Sequence, residues 1–284
     1  MLEYVTLDLP FPEELAAFRA GGATGVGVTE FTGPKGRDIG EMRRALLEAN
    51  MAVTVCWPEV PSILPLDGFP GESDPAKRTR LLGECIKRQS ELDPIGVACL
   101  TGARGAHDAA EARALAVTGL AEAADVAAAC GVKLGIEPIH SSISEGLSIV
   151  STIGETAELI AETGSSNIGI MFDVWHVWDS PNLIQETLDH ADSFLLAHVC
   201  DWREPTRSWA DRVLPGDGAA DFPGILGALE AAGFDGWYEL EVISDNGYWN
   251  EAYPDSLWNV PPDELVRKGY EAFLRCWAER RPPA

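Results

Sequence analysis

The sequence predicts an α/β chain folded as a (β/α)8 barrel, and three observations carry that prediction. Eight apolar runs alternate with eight amphipathic or Ala-rich stretches along 284 residues, which is the repeat count of such a barrel. The first run leads into LDLPFPEE rather than a Gly-rich turn, whereas a doubly wound open sheet places a phosphate-binding loop there. Four of the later runs close on Glu, Asp or His, and in a barrel those positions meet at the C-terminal mouth.

The apolar runs are 2–9, 24–31, 51–57, 95–102, 133–140, 168–176, 193–201 and 237–244. Each is rich in β-branched, aromatic or other apolar residues and reads as a buried strand. Helices are expected over 12–20, 39–49, 75–91, 107–130, 153–163, 181–190, 221–232 and 262–280. The longest, 107–130, is dominated by Ala, Leu and Glu, all good helix formers, and it stops at Gly131, a favoured residue just past a helix end. Thr152 and Glu155 form a TxxE capping box at the start of the next helix. The irregular segments 58–74, 200–220 and 244–261 all follow strands, so a barrel projects them from its C-terminal face. Loops of that length are commonly functional. No linker or low-complexity tract divides the chain, and residues 1–284 are expected to form a single domain.

A net charge of −24 argues against nucleic acid, which calls for a basic footprint; the acidic surface serves solubility. Six cysteines are scattered without a CxxC pair and read as reduced thiols of a cytoplasmic protein. The sequence shows no signal peptide and no apolar run long enough for a membrane. The expected partners are therefore neither nucleic acid nor membrane. A homo-oligomer or a partner subunit is compatible with the chain.

Glu137 closes KLGIE, Asp173 closes IGIMFD, His198 closes SFLLAH and Glu241 closes WYELE. A carboxylate or imidazole at the end of a buried strand is costly to desolvate without a partner. Any one of them alone reads as a strand-end ion pair or helix cap. Four on different strands suggest one shared partner, a divalent metal ion. Three carboxylates and one imidazole suit Mn2+, Mg2+ or Co2+ better than a thiolate-seeking metal. Three of the five histidines, His140, His176 and His198, lie at or just past consecutive strand ends. Arg212 follows in an acidic, Gly/Pro-rich loop, where it is placed to meet a substrate oxygen. Trp57 and Trp175, like Trp178, Trp202, Trp209 and Trp249, lie on or past strand ends, where indole faces suit stacking on sugar rings as well as packing. Glu30 and Arg104 are weaker candidates for substrate contact.

At these residues the chain resembles the xylose isomerase-like TIM-barrel superfamily, which includes ketose 3-epimerases, inosose dehydratases, hydroxypyruvate isomerases and endonuclease IV-type proteins. The matching pieces are GIEPIH, FDVWH, AHVCD, RVLPGDGAADFPGIL and GFDGWYELEV. The resemblance implies a metal held by Glu137, Asp173, His198 and Glu241, with His176 and Arg212 on substrate oxygens; His140, Trp57 and Trp175, from their positions at strand ends, are further candidates for substrate binding. It implies proton movement next to a carbonyl, with Glu137 and Glu241 as the acid/base pair. The implied enzyme is a sugar isomerase or epimerase. Its alternatives are a lyase, either a dehydratase of a keto-inositol or keto-sugar or an enzyme cleaving C-glycosides of oxidised sugars, and a non-catalytic sugar-binding barrel. The chain departs from the ketose 3-epimerases in having Leu196 where their HxHxxD/E pattern begins, and in a longer segment from His198 to Arg212. Its five histidines are too few for the three-zinc set of the endonucleases.

Overall fold

The structure, a computed structural model, describes residues 1–6, 9–31 and 36–283. Its strands are β1 (Gly25–Thr29), β2 (Ala52–Trp57), β3 (Gly96–Cys99), β4 (Lys133–Ile136), β5 (Ile168–Asp173), β6 (Phe194–His198), β7 (Asp201–Trp202), β8 (Arg212–Val213) and β9 (Trp237–Glu239). Its helices are α1 (Phe11–Ala20), α2 (Ile39–Ala49), α3 (Pro75–Gln89), α4 (Ala109–Ala129), α5 (Ile153–Thr163), α6 (Val174–Val177), α7 (Leu183–His190), α8 (Phe222–Ala231) and α9 (Pro262–Ala278). Seven strands form one parallel sheet in the order β1-β2-β3-β4-β5-β6-β9, with helices between them, giving a nearly closed barrel.

The ring is completed by Met1 and Leu2. Leu2 forms a parallel bridge to Gly27 of β1, Gly27 N–H donates to Met1 O at 3.0 Å, and Leu2 N–H donates to Leu240 O beyond β9 at 3.1 Å. The expected first strand over 2–9 therefore shrinks to this bridge, and residues 7 and 8 of it lie outside the described residues. The chain turns into a 3-10 helix at Glu3–Thr6. Side chains explain the turn. Thr6 Oγ1 donates to Glu3 O, and the Glu3 carboxylate accepts Thr29 N–H at 2.5 Å. A side-chain oxygen thus takes a strand donor that a backbone carbonyl would otherwise need to satisfy.

Side chains alternate along the strands as a buried sheet requires. Ile170 and Phe172 of β5 join an outer cluster with Phe194 and the helices, while Met171, between them, joins an interior cluster with Leu2, Val55, Ala98 and Leu196. The same alternation turns Asp173 of β5 and His198 of β6 inward. Gly135 on β4 leaves room for Met171, since a Cβ there would stand 2.7 Å from its sulfur.

Helix starts follow local signals. Asp108 accepts Glu111 N–H at 2.8 Å and so begins α4 at Ala109 rather than at 107. Thr152 accepts Glu155 N–H at 3.1 Å at the start of α5, and Glu155 reaches back to Ser151 N–H at 2.7 Å. The apolar runs outlast the strands: Glu137 lies one residue past β4 and Glu241 two past β9. The segment after β6 carries an unexpected feature, the antiparallel ribbon β7–β8. Among the described residues no helix is long and apolar enough to cross a membrane, and all six cysteines are free.

Candidate metal centre

Glu137, Asp173, His198 and Glu241 meet at the C-terminal end of the barrel. Each offers one ligand atom, and these atoms lie within 4.8 Å of one another. All four side chains are buried. His198 Nδ1 stands 3.3 Å from Glu137 Oε1 and 3.2 Å from Glu241 Oε2. Six donors about 2.1 Å from a hard divalent ion lie roughly 3–4.3 Å from one another, so the cluster is close to coordination size. A donor set of three carboxylates and one imidazole fits such an ion.

Burial raises the Glu137 carboxyl against the pull of His198. Burial pushes Asp173 up to about 7, although Arg212 opposes it. Burial disfavours charge on His198, but Glu241, Glu137 and Glu239 outweigh it and hold its pKa well above the ordinary imidazole value. Crowded buried carboxylates that resist ionisation are what a cation of higher charge relieves.

Arg212 is buried and enters from β8. Its Nη1 donates to Asp173 Oδ2 at 3.0 Å and to Glu241 Oε2 at 3.1 Å, and it lies 3.4 Å from Cys200 Sγ. Its guanidinium stacks 4.6 Å over the Trp175 ring, and its Nε has no protein acceptor among the described residues. His176 follows Asp173 on the single turn α6. His140 N–H donates to His176 Nδ1 at 3.0 Å, so the imidazole proton sits on Nε2. That nitrogen faces Asp173 Oδ2 at 3.6 Å and Glu137 Oε2 at 3.9 Å. Burial, with Arg212 and His140 adding to it, holds the His176 pKa well below the ordinary value, so the ring is neutral.

The other expected residues surround this group at different depths. The His140 ring packs 4.5 Å from that of Trp202 and its Nδ1 accepts Ser142 N–H at 3.2 Å, so its backbone, rather than its ring, meets His176. Trp175 is fully buried, 4.8 Å from Trp202, and its indole Nε1 has no protein partner among the described residues. Trp57 joins the interior cluster, and its Nε1 is also without a protein acceptor there. Glu30 is engaged by α3, through Arg88 Nη2 at 2.5 Å and Gln89 Nε2 at 3.0 Å. Arg104 is exposed on the loop after β3.

One buried neighbour of the donor set escaped the sequence reading. Glu239, the last residue of β9, is buried below His198, with Oε2 3.2 Å from its Nε2. Burial raises its carboxyl, but the Met1 ammonium, His198 and the Thr54 hydroxyl hold its pKa below the ordinary value. The signal was present in WYELE: two carboxylates two residues apart on a strand share a face.

Two aspartates fix the segment that delivers Arg212. Asp201 is buried and accepts N–H groups of Trp202, Gly216, Gly218 and Ala220 at 2.7–3.0 Å. Asp211 is buried and accepts Arg203 Nε at 2.7 Å and Arg207 Nη2 at 2.6 Å. Both arginines continue to Asp255, and Arg212 N–H donates to Ile243 O at 2.9 Å.

A family model described as xylose isomerase-like TIM barrel matches residues 15–276. Rhizopine catabolism protein MocC of Rhizobium meliloti is 30% identical over 142 residues, 45% of this chain and 42% of that protein. Inosose dehydratase of Geobacillus thermodenitrificans is 27% identical over 146 residues, 46% and 47% of the two chains. The chain thus spans less than half the length of these relatives. The 2-oxo-tetronate isomerase of Cupriavidus necator is 25% identical over 233 residues, 80% of this chain and 86% of that one. Among solved structures, a Sinorhizobium meliloti protein has a TM-score of 0.81 at 25% identity, covering 96% and 95% of the chains. The IolI protein solved with a zinc atom has a TM-score of 0.78 at 16% identity, covering 99% and 98%, which bears on the fold.

Proposed function

We propose a divalent-metal-dependent sugar isomerase or epimerase, from the premise that this chain belongs to the xylose isomerase-like TIM-barrel family. The observation that carries the reading is that two buried carboxylates, Glu137 and Glu241, belong to one donor set and both reach His198 Nδ1. Glu137, Asp173, His198 and Glu241 would hold Mn2+, Mg2+ or Co2+. When bound, such an ion polarises a carbonyl or hydroxyl oxygen and stabilises charge that develops next to it.

The chain's own groups do the rest. Glu137 follows β4 and Glu241 follows β9, with β5 and β6 between them, so they approach a substrate from different sides. One carboxylate takes the proton from carbon and the other returns one, as a general acid/base pair. His176 is neutral with its proton on Nε2, and it donates to a substrate oxygen without adding charge. Arg212 offers Nε–H to a second oxygen. His140, Trp57 and Trp175 complete the walls. A proton returned to the opposite face gives an epimer, and one returned to the neighbouring carbon gives an isomer.

A lyase is the second reading, favoured by the similarity to an inosose dehydratase; a leaving group on the neighbouring carbon then departs instead. The test is incubation of the Mn2+-loaded protein in D2O with a panel of keto-sugars and keto-inositols, followed by NMR. Deuterium with an inverted centre or a moved carbonyl supports the first reading, and an unsaturated product supports the second. No exchange with any member of the panel overturns both.

A further inference from the structure

Glu239 and Glu241 bracket His198. His198 and Glu239 are paired across β6 and β9, so their side chains enter the barrel side by side. Glu241 lies one layer higher on the same face. The imidazole therefore has carboxylates at both nitrogens: Glu241 Oε2 at 3.2 Å and Glu137 Oε1 at 3.3 Å from Nδ1, and Glu239 Oε2 alone at 3.2 Å from Nε2. The Glu239 and Glu241 carboxylates differ in surroundings. Glu241 faces the cluster of candidate metal donors, whereas Glu239 faces Thr54 and Met1.

Glu239 is held in a fitted cradle. Its Oε1 accepts the Thr54 hydroxyl at 2.6 Å from β2, and the Met1 nitrogen lies 3.5 Å away. A Cβ at Gly27 of β1 would stand 2.8 Å from each of its carboxylate oxygens, so only glycine leaves this space. Strands β1, β2, β6 and β9 thus converge on a carboxylate that meets the donor set through His198.

A neutral imidazole has a single N–H, and the hydrogen bond made by one nitrogen decides what the other can do. Histidines that bind metal donate the remaining N–H to a carboxylate or carbonyl, and loss of that acceptor typically weakens metal binding by about 10–100-fold. We propose that Glu239 is a positioning residue that keeps the His198 proton on Nε2, orients the ring and presents Nδ1 to the divalent ion. This inference rests on the metal reading above.

The test compares wild type with Glu239→Ala, Glu239→Gln and Thr54→Val. Mn2+ affinity is measured by calorimetry, and the imidazole nitrogens are read by 15N NMR of the Zn2+-loaded proteins. Wild type should show a protonated Nε2 and a metal-bound Nδ1. Glu239→Ala should bind Mn2+ about 10–100-fold more weakly. Glu239→Gln keeps an acceptor oxygen and should restore most of that loss, and Thr54→Val should weaken binding less than Glu239→Ala does. Coordination through Nε2 in wild type would overturn the inference, as would wild-type affinity in a folded Glu239→Ala protein. If Glu239→Ala does not fold, the wild-type spectrum and the Thr54→Val affinity decide, and unchanged affinity in Thr54→Val counts against the cradle. Absence of Mn2+ binding by wild type would sink the metal reading itself, an outcome distinct from equal binding by wild type and variant.

Discussion

The Asp173 carboxylate is divided between its own chain and Arg212: Oδ1 accepts Trp175 N–H at 2.9 Å and Oδ2 accepts Arg212 Nη1 at 3.0 Å. The first bond starts the turn that carries His176, and the second neutralises a buried charge. Arg212 thereby supports the donor cluster from one side while its Nε has no protein acceptor among the described residues.

Replacing Arg212 by Ala leaves Asp173 and Glu241 buried without that cation. The metal-free protein should lose about 3–5 kcal/mol, the usual result of breaking a buried pair. Added Mn2+ should recover part of the loss, so the rise in Tm on metal addition should be larger in the variant than in wild type. Paired thermal melts with EDTA and with Mn2+ measure this, and an equal rise in both proteins would count against the shared role of Arg212.

Metal removal should be visible without any substrate. Ligand that binds only the folded state stabilises by about 2.7 kcal/mol at a concentration of 100 Kd. Calorimetric scans with increasing Mn2+ should show a rising Tm, reversed by chelator. The Asp173→Ala protein should show a much smaller rise.

Glu137→Gln and Glu241→Gln retain one oxygen donor each but lose the base. Turnover should fall by about 10²–10⁴-fold, with metal affinity reduced only in part. One variant should still exchange the substrate proton with D2O without forming product, and the other should exchange neither. Near-normal turnover in both, with metal bound, would rule out acid/base work by this pair.

A pH effect arises away from the site. Glu3 and Glu14 are both buried, and Thr6, Thr29 and Arg37 bond to them. Burial, with the Glu3 charge adding to it, raises Glu14 well above the carboxylate range, and burial raises Glu3 as well. A folded-state pKa above the unfolded one gives stability that is present below the unfolded value and is lost as pH rises through the folded value. Wild type should therefore lose stability relative to Glu14→Gln as pH increases. Chemical denaturation of both proteins across that range measures the difference, which should be absent at low pH.

Asp211→Ala should lower kcat/KM by releasing Arg203 and Arg207 and letting Arg212 shift, since a displacement on the order of 1 Å can cost about 100-fold. Asp211→Asn keeps an acceptor and should be milder. Steady-state kinetics of the two, with metal content checked to be equal, separates this from loss of the ion.

The donor cluster was legible because each polar residue interrupts an apolar run: a charge after IGIMF or SFLLA has no inexpensive place to go unless a partner meets it. Period-two alternation then gives the facing, as Met171 and Asp173 illustrate. Glu239 was hidden inside the same logic, since in WYELE the final Glu drew the reading and its twin two residues earlier was passed over. The first strand was overread because LEYVTLDL has strand composition, while the Glu3 and Thr6 side chains that bend it act through partners distant in sequence or local turns. The ribbon β7–β8 has two residues on each side, too few for any periodicity. Trp57, Trp175 and His140 lie at or just past strand ends, but what each ring packs against depends on neighbours such as Trp202 that composition does not reveal.

Asp201 and Asp211 pin the segment after β6 near both of its ends, and the stretch between them carries Trp209 at the surface. Arg203 and Arg207 hold the second post and must stay, whereas the exposed residues around them can change while Arg212 stays in register with Ile243. Grafting a relative's residues into the exposed positions between these two aspartates, with Arg203 and Arg207 kept, should leave the cluster beneath undisturbed, which makes the segment a cassette for engineering.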